Sequence, residues 1–152
     1  MIISHKGIYY DRYDTPFGIG ALICAISCNN HCRGCFHQDR NDPIIQEEAE
    51  SIISKVLSNP FVNGIILGYL EWLDGQYEEA LELIKLAQNN NLQVILYTHC
   101  TYDDIVKKYS KLLLCKGIYI KLGAYDDTRL ISNYTSYNVP LASSNQYIIR
   151  VE

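Results

Sequence analysis

The sequence predicts an α/β fold, an open partial (β/α) barrel with a mainly parallel sheet. Three observations carry this expectation. Short apolar runs alternate with segments of helical hydrophobic spacing, the rhythm of strands joined by crossover helices. The chain has 152 residues, well short of the roughly 250 that a closed eight-unit barrel takes. The motif residues fall where apolar runs end, and in such sheets ligands gather beyond the carboxyl ends of the strands.

In chain order, Gly20 to Ser27 (GALICAIS) is a nearly continuous apolar run that suits a buried strand. Ile44 to Leu57 reads as a helix. Ile45, Ala49, Ile52, Ile53, Val56 and Leu57 recur at helical spacing, Asp42 and Pro43 are start signals, and the acidic residues come early, where the helix dipole favours them. Gly64 to Gly68 (GIILG) is the second strand. Tyr77 to Gln88 is the second helix, with Ala80, Leu81, Ile84 and Ala87 on one face, and Asn89-Asn90-Asn91 makes the turn. Leu92 to Thr98 is the third strand, Tyr102 to Leu114 the third helix, Gly117 to Leu122 the fourth strand, and Gln146 to Val151 a fifth. The Tyr-rich stretch Tyr125 to Tyr137 reads as an irregular connection.

Residues 1–152 are expected to form a single domain, since 48% hydrophobic content supplies a sizeable core. A formal net charge of -4 and the absence of any Lys/Arg run argue against nucleic acid as a partner, because neutralising phosphates takes clustered cations. Met1 to Tyr13 lacks a charged segment followed by an apolar run, and no stretch approaches the ~20 apolar residues of a membrane span. A cytoplasmic protein without a membrane partner is the expectation. No Ser-His-Asp ordering, Walker loop or G-x-G-x-x-G supports a hydrolase, nucleotidase or dinucleotide enzyme.

In a reducing compartment, clustered cysteines point to metal or catalysis rather than to disulfides. Of six cysteines, Cys24, Cys28, Cys32 and Cys35 crowd one segment, while Cys100 and Cys115 stand alone, as small core or site-lining residues do. In C28-N-N-H-C32-R-G-C35 three thiolates can wrap one soft-metal object from a single loop. Three ligands leave one iron of a four-iron cubane open to a further group, whereas four would close it. The rival is a zinc site completed by His31, His37 or Cys24. Structural zinc sites usually pair two knuckles from separate places, and only one is present. Cys24 in an extended strand would lie about 13 Å from Cys28.

The C-x3-C-x2-C loop after a first strand resembles the signature of the radical S-adenosylmethionine superfamily, and the chain as a whole resembles the anaerobic ribonucleotide reductase activating proteins. Gly34 immediately before the third cysteine, L67-G68-Y69-L70-E71-W72, L96-Y97-T98 and P140-L141-A142-S143-S144-N145-Q146 carry the likeness. Two positions depart from that pattern: the paired glycines are here Gly68 and Tyr69, and His99-Cys100 stands where Gly-Tyr is common. The resemblance implies a [4Fe-4S] cluster on Cys28, Cys32 and Cys35 and S-adenosyl-L-methionine chelated to the open iron. It further implies reductive cleavage to a 5′-deoxyadenosyl radical, which takes a hydrogen from one glycine of the reductase large subunit. A flavodoxin-like or other reductant would supply the electron. Gly34 and Phe36 would lie against the adenine, Gly68 would admit the methionine part, Glu71 would meet its amino group, and Thr98 would line the third strand end.

Other residues carry plainer readings. His31 is a loop residue that can tune a cluster by hydrogen bonding, and Arg33 covers the loop or balances its charge. Trp72 is a packed aromatic beside a strand-end carboxylate. The 13 tyrosines suit strand surfaces with one wet end. Asp103 and Asp104 open a helix, where the dipole favours them, and Asp126 and Asp127 belong to a loop. A related radical enzyme acting on another protein or a small molecule is the enzymatic alternative, and a single-cluster electron carrier and a zinc-stabilised interaction domain are the non-enzymatic ones.

Overall fold

The computed structural model describes residues 1–28 and 41–152. Its strands are β1 (Ile2–His5), β2 (Ile8–Arg12), β3 (Gly20–Cys24), β4 (Ile45–Glu48), β5 (Gly64–Gly68), β6 (Gln93–Tyr97), β7 (Tyr119–Leu122), β8 (Thr135–Ser136), β9 (Val139–Pro140) and β10 (Tyr147–Arg150). The helices are α1 (Ala49–Leu57), α2 (Tyr77–Asn89) and α3 (Tyr102–Lys108), the last followed by a 3-10 turn over Ser110–Leu114. Six strands form one sheet in the order β10-β7-β6-β5-β3-β2. The central four, β3, β5, β6 and β7, are parallel, and β2 and β10 pair antiparallel at the two edges. The fold is therefore α/β with a mixed sheet, and no pairing among the described residues joins its edges.

All five residues of β3 and of β5 are buried, as strands covered on both faces must be. One face carries Ile23, Ile65, Leu67, Val94 and Leu96. It packs against Ile52, Ile53 and Val56 of α1 and Leu83, Ile84 and Ala87 of α2. The other carries Leu22, Cys24, Ile66 and Ile95 beneath Val139, Leu141 and a group of tyrosines that includes Tyr97 and Tyr119. Each fully buried aliphatic side chain contributes about 1.5–3 kcal/mol relative to exposure, so the sheet is anchored from both sides.

The second helix, third strand and second strand lie within a residue or so of expectation. Elsewhere the structure corrects the sequence reading. The expected helix over 44–57 begins only at Ala49. Its first turn is β4, which pairs antiparallel with β1 in a separate two-stranded sheet. Tertiary bonds outweigh helical periodicity there. The Glu47 carboxylate contacts His5 Nε2 at 2.6 Å and accepts from Lys55 Nζ at 2.6 Å and Ser51 Oγ at 3.1 Å. The expected helix over 102–114 breaks at Tyr109, whose φ of -131° and ψ of 36° leave the α region, and resumes as the 3-10 turn. Its start is a capping box: Asp104 N donates to Thr101 Oγ1 at 3.2 Å and Thr101 N donates to Asp104 Oδ2 at 3.0 Å. The first strand stops at Cys24, and the fifth, β10, runs antiparallel to β7. Strands β1 and β2 occupy a segment that sequence reading treated only as lacking a leader. No helix among the described residues is long and apolar enough to cross a membrane.

Candidate functional site

Parallel strands bring their carboxyl ends to one rim, and the register shows which residues meet there. Cys24 pairs with Gly68 and Leu67 with Leu96, so β3, β5 and β6 finish side by side. Beyond β3 the chain stays tied to its neighbour: Ala25 N donates to Gly68 O at 3.0 Å and Glu71 N to Ser27 O at 2.9 Å. Trp72 Nε1 donates to Ile23 O at 3.2 Å, and Ile26 N donates to Gln76 Oε1 at 2.9 Å. Gly68 at the end of β5, with Glu71, Trp72 and Gln76 after it, thus holds the approach to Cys28, which is half-buried one residue beyond Ser27.

Glu71 is the centre of the rim. Its carboxylate is 3% exposed. One oxygen accepts from Thr98 Oγ1 at 2.9 Å and His99 N at 2.7 Å, and the other from Leu73 N at 3.1 Å. Burial pushes its pKa above the ordinary carboxylate value, while the hydrogen bonds and the neighbouring His99 pull the other way without overcoming it. The His99 ring nitrogen Nε2 lies 3.0 Å from Asp74 Oδ2 and 3.5 Å from Glu71 Oε1. Cys100 is buried, its N–H donates to Thr98 Oγ1 at 3.1 Å, and burial pushes its thiol up to about 11. Gly123 N, just past β7, donates to Cys100 O at 2.9 Å, so the fourth strand end joins the rim.

The expected site residues divide accordingly. The structure brings Gly68, Glu71 and Thr98 together with the approach to Cys28. Cys32, Cys35, Gly34 and Phe36, with His31, Arg33 and His37, lie outside the described residues. Gly68 serves packing directly: a Cβ there would stand 3.2 Å from the Tyr97 ring and 3.5 Å from Leu22. That ring carries Lys121 Nζ at 4.7 Å from its centroid, and its hydroxyl donates to Asp14 O at 3.2 Å. Burial lowers the pKa of Lys121, partly offset by Asp14. Cys24 is fully buried in the apolar cluster with Leu22 and Ile66.

The small-residue stretch near the C-terminus closes the β7 end. Gln146 Oε1 accepts from Ala142 N at 2.9 Å, Gln146 Nε2 donates to Gly123 O at 3.3 Å, and Asn145 Nδ2 donates to Ala124 O at 2.8 Å. Asn145 Oδ1 is buried with no hydrogen-bond partner among the described residues. Sequence reasoning missed Asp74 and Gln76. Their one local signal is a polar residue in the connection between β5 and α2, which is common to most such loops.

No curated protein matches the chain. The family described as a 4Fe-4S single cluster domain matches it over residues 17–149, a span that contains the whole parallel core and the cysteine loop.

Proposed function

The chain belongs to the 4Fe-4S single cluster domain family, and from that membership we propose that it is a cytoplasmic radical S-adenosylmethionine activase. In this reading it generates a glycyl radical on the large subunit of an anaerobic ribonucleotide reductase. Family membership makes it an iron–sulfur protein; the finer reading rests on the motifs and on the strand-end rim. The observation that carries it is the family match across residues 17–149, supported by the bond from Glu71 N, past the end of β5, to the carbonyl of Ser27 just before Cys28.

The donor set fits the group. Three thiolates spaced as C-x3-C-x2-C favour an iron–sulfur cluster with one iron left open, and Cys28, Cys32 and Cys35 are its ligands in this reading. When bound and reduced by a flavodoxin-like or other reductant, the cluster supplies one electron to cleave S-adenosylmethionine, so that a hydrogen atom can be taken from the partner's glycine.

The chain's own residues prepare the rim for this chemistry. Glu71 ties the β3 extension to the end of β6 through Ser27, Thr98 and His99, which holds the entry to the cysteine loop against the neighbouring strands. The orphaned Asn145 Oδ1 at the end of β7 supports a ligand bearing an N–H or O–H donor. An open partial barrel is the shape that this reading implies, with a mouth wide enough for a peptide loop of the reductase.

The test is anaerobic reconstitution, reduction with dithionite and addition of S-adenosylmethionine, with 5′-deoxyadenosine followed by chromatography. About four irons per chain with 5′-deoxyadenosine formed, and both lost in Cys32→Ala, is the expected result. Iron without cleavage makes the chain an electron carrier and overturns the activase reading.

A further inference from the structure

We propose that Glu71, His99 and Cys100, with Asp74 as fourth donor, form a second metal site of the zinc type that uses none of the three clustered cysteines as a ligand. One ligand atom from each of Glu71, His99 and Cys100 lies within 4.8 Å of the others. Two nitrogen or oxygen ligands about 2.1 Å from a tetrahedral ion stand about 3.4 Å apart. His99 Nε2 lies 3.5 Å from Glu71 Oε1, so the carboxylate is within reach of an ion held by that nitrogen. Asp74 Oδ2 is 3.0 Å from the same nitrogen, so it needs to retreat only by a few tenths of an ångström to become a ligand.

The surroundings are those of a built site. A carboxylate has about four acceptor positions. Thr98 Oγ1 and His99 N fill Oε1 of Glu71 and Leu73 N takes one position on Oε2, so the position left for an ion is on Oε2. Those same bonds fix the carboxylate's orientation, as the outer partners of metal ligands do. Thr98 Oγ1 also accepts from Cys100 N, and Cys100 O accepts from Gly123 N, so the cysteine is positioned from β6 and from the end of β7. Glu71 and Cys100 are 3% and 4% exposed. Among the described residues His99 is the one basic group that pairs with Glu71, and a divalent ion would neutralise the buried negative charge that a neutral imidazole leaves.

The donors decide the class of ion. One imidazole, one thiolate and carboxylate oxygens suit zinc, and they do not make the all-thiolate set that an iron–sulfur cubane takes. Binding displaces the Cys100 thiol proton to solvent. The site does not rest on the radical reading: zinc would take the Glu71 position that the resemblance gives to the amino group of S-adenosylmethionine, so zinc retention and 5′-deoxyadenosine formation are read as separate outcomes.

The test uses the full chain with its iron and sulfide reconstituted, dialysed against zinc and then against zinc-free buffer, with iron and zinc measured together. One zinc per chain beyond the iron is expected. His99→Ala and Cys100→Ser should each weaken zinc binding by about tenfold or more with iron content and far-UV circular dichroism unchanged. Cobalt(II) bound to the unsubstituted protein should show a thiolate charge-transfer band of one sulfur, which covers the case in which a variant folds poorly. Zinc that is not retained, that survives both substitutions, or that is lost in Cys32→Ala instead overturns the site, as does cobalt bound without a sulfur band.

Discussion

Single residues at the rim act through what they replace. Tyr69 sits at a φ of 79°, the left-handed region that glycine enters without steric cost and a tyrosine does not. The tyrosine is held there by its hydroxyl, which donates to Asp42 Oδ2 at 2.7 Å, and by its ring in the cluster with Leu22 and Ile66. Glu71 is the more consequential residue. Removing its carboxylate in Glu71→Ala strands two buried donors and one part-buried one, and urea unfolding should show a loss of about 3 kcal/mol, with Glu71→Gln losing roughly 1 kcal/mol because its carbonyl oxygen still accepts. The pH dependence has a definite sign. Burial raises the folded pKa above the unfolded value of 4.5, so the group's contribution is fully present below that value and is lost as pH climbs through the folded pKa. The stability of wild type relative to Glu71→Gln should therefore fall as pH rises across that window. A difference that grows with pH would mean that hydrogen bonding to the ionised form outweighs desolvation.

Among the elements, the β5–β6 pair sets the spacing on which the rim depends. Gly64 opens β5 opposite Gln93. A Cβ at Gly64 would collide with the Gln93 carbonyl oxygen, reach its carbonyl carbon at 2.8 Å and reach the Phe17 ring at the same distance. Backbone cannot rotate out of the way as a side chain can. Gly64→Ala should cost about 3 kcal/mol and lower the midpoint of thermal unfolding, whereas Gly68→Ala, which meets chiefly the movable Tyr97 ring at 3.2 Å, should cost less. Equal losses at the two positions would show that β5 yields more easily than its register implies. The same contrast explains why glycines at both ends of a five-residue strand are legible as punctuation in the sequence, while their reasons are not: each is dictated by a residue on a neighbouring strand.

At the scale of the whole molecule, the chain's single tryptophan is a natural reporter. Trp72 is fully buried, bonds to Ile23 O and belongs to the cluster that joins the sheet to α1 and α2. Its emission and the far-UV circular dichroism should change in one coincident transition in urea, as expected of a chain of about 150 residues whose two apolar clusters share one sheet. An earlier change in emission would mean that the rim opens before the helices and sheet part.

The order of the central strands and helices was readable in the sequence, because hydrophobic period is a local property that each segment carries wherever it packs. The spacing of Cys28, Cys32 and Cys35 is likewise a local property, since the three lie within one short span. The mistaken first turn of α1 marks the limit: Ile45 to Glu48 has helical spacing, yet β1 pairs with it and His5 reaches Glu47 across 42 positions. Glu71 was singled out from sequence, but its bonds to Thr98 and His99 cross 27 and 28 positions, and the place of Asp74 beside His99 follows from the register of β5 on β6. The sequence by itself determined the order of the central strands and helices and the spacing of the three clustered cysteines. Only tertiary structure decided that Glu71, Asp74, His99 and Cys100 share a few ångströms, because convergence of that kind is a property of strand pairing and not of any one stretch of chain.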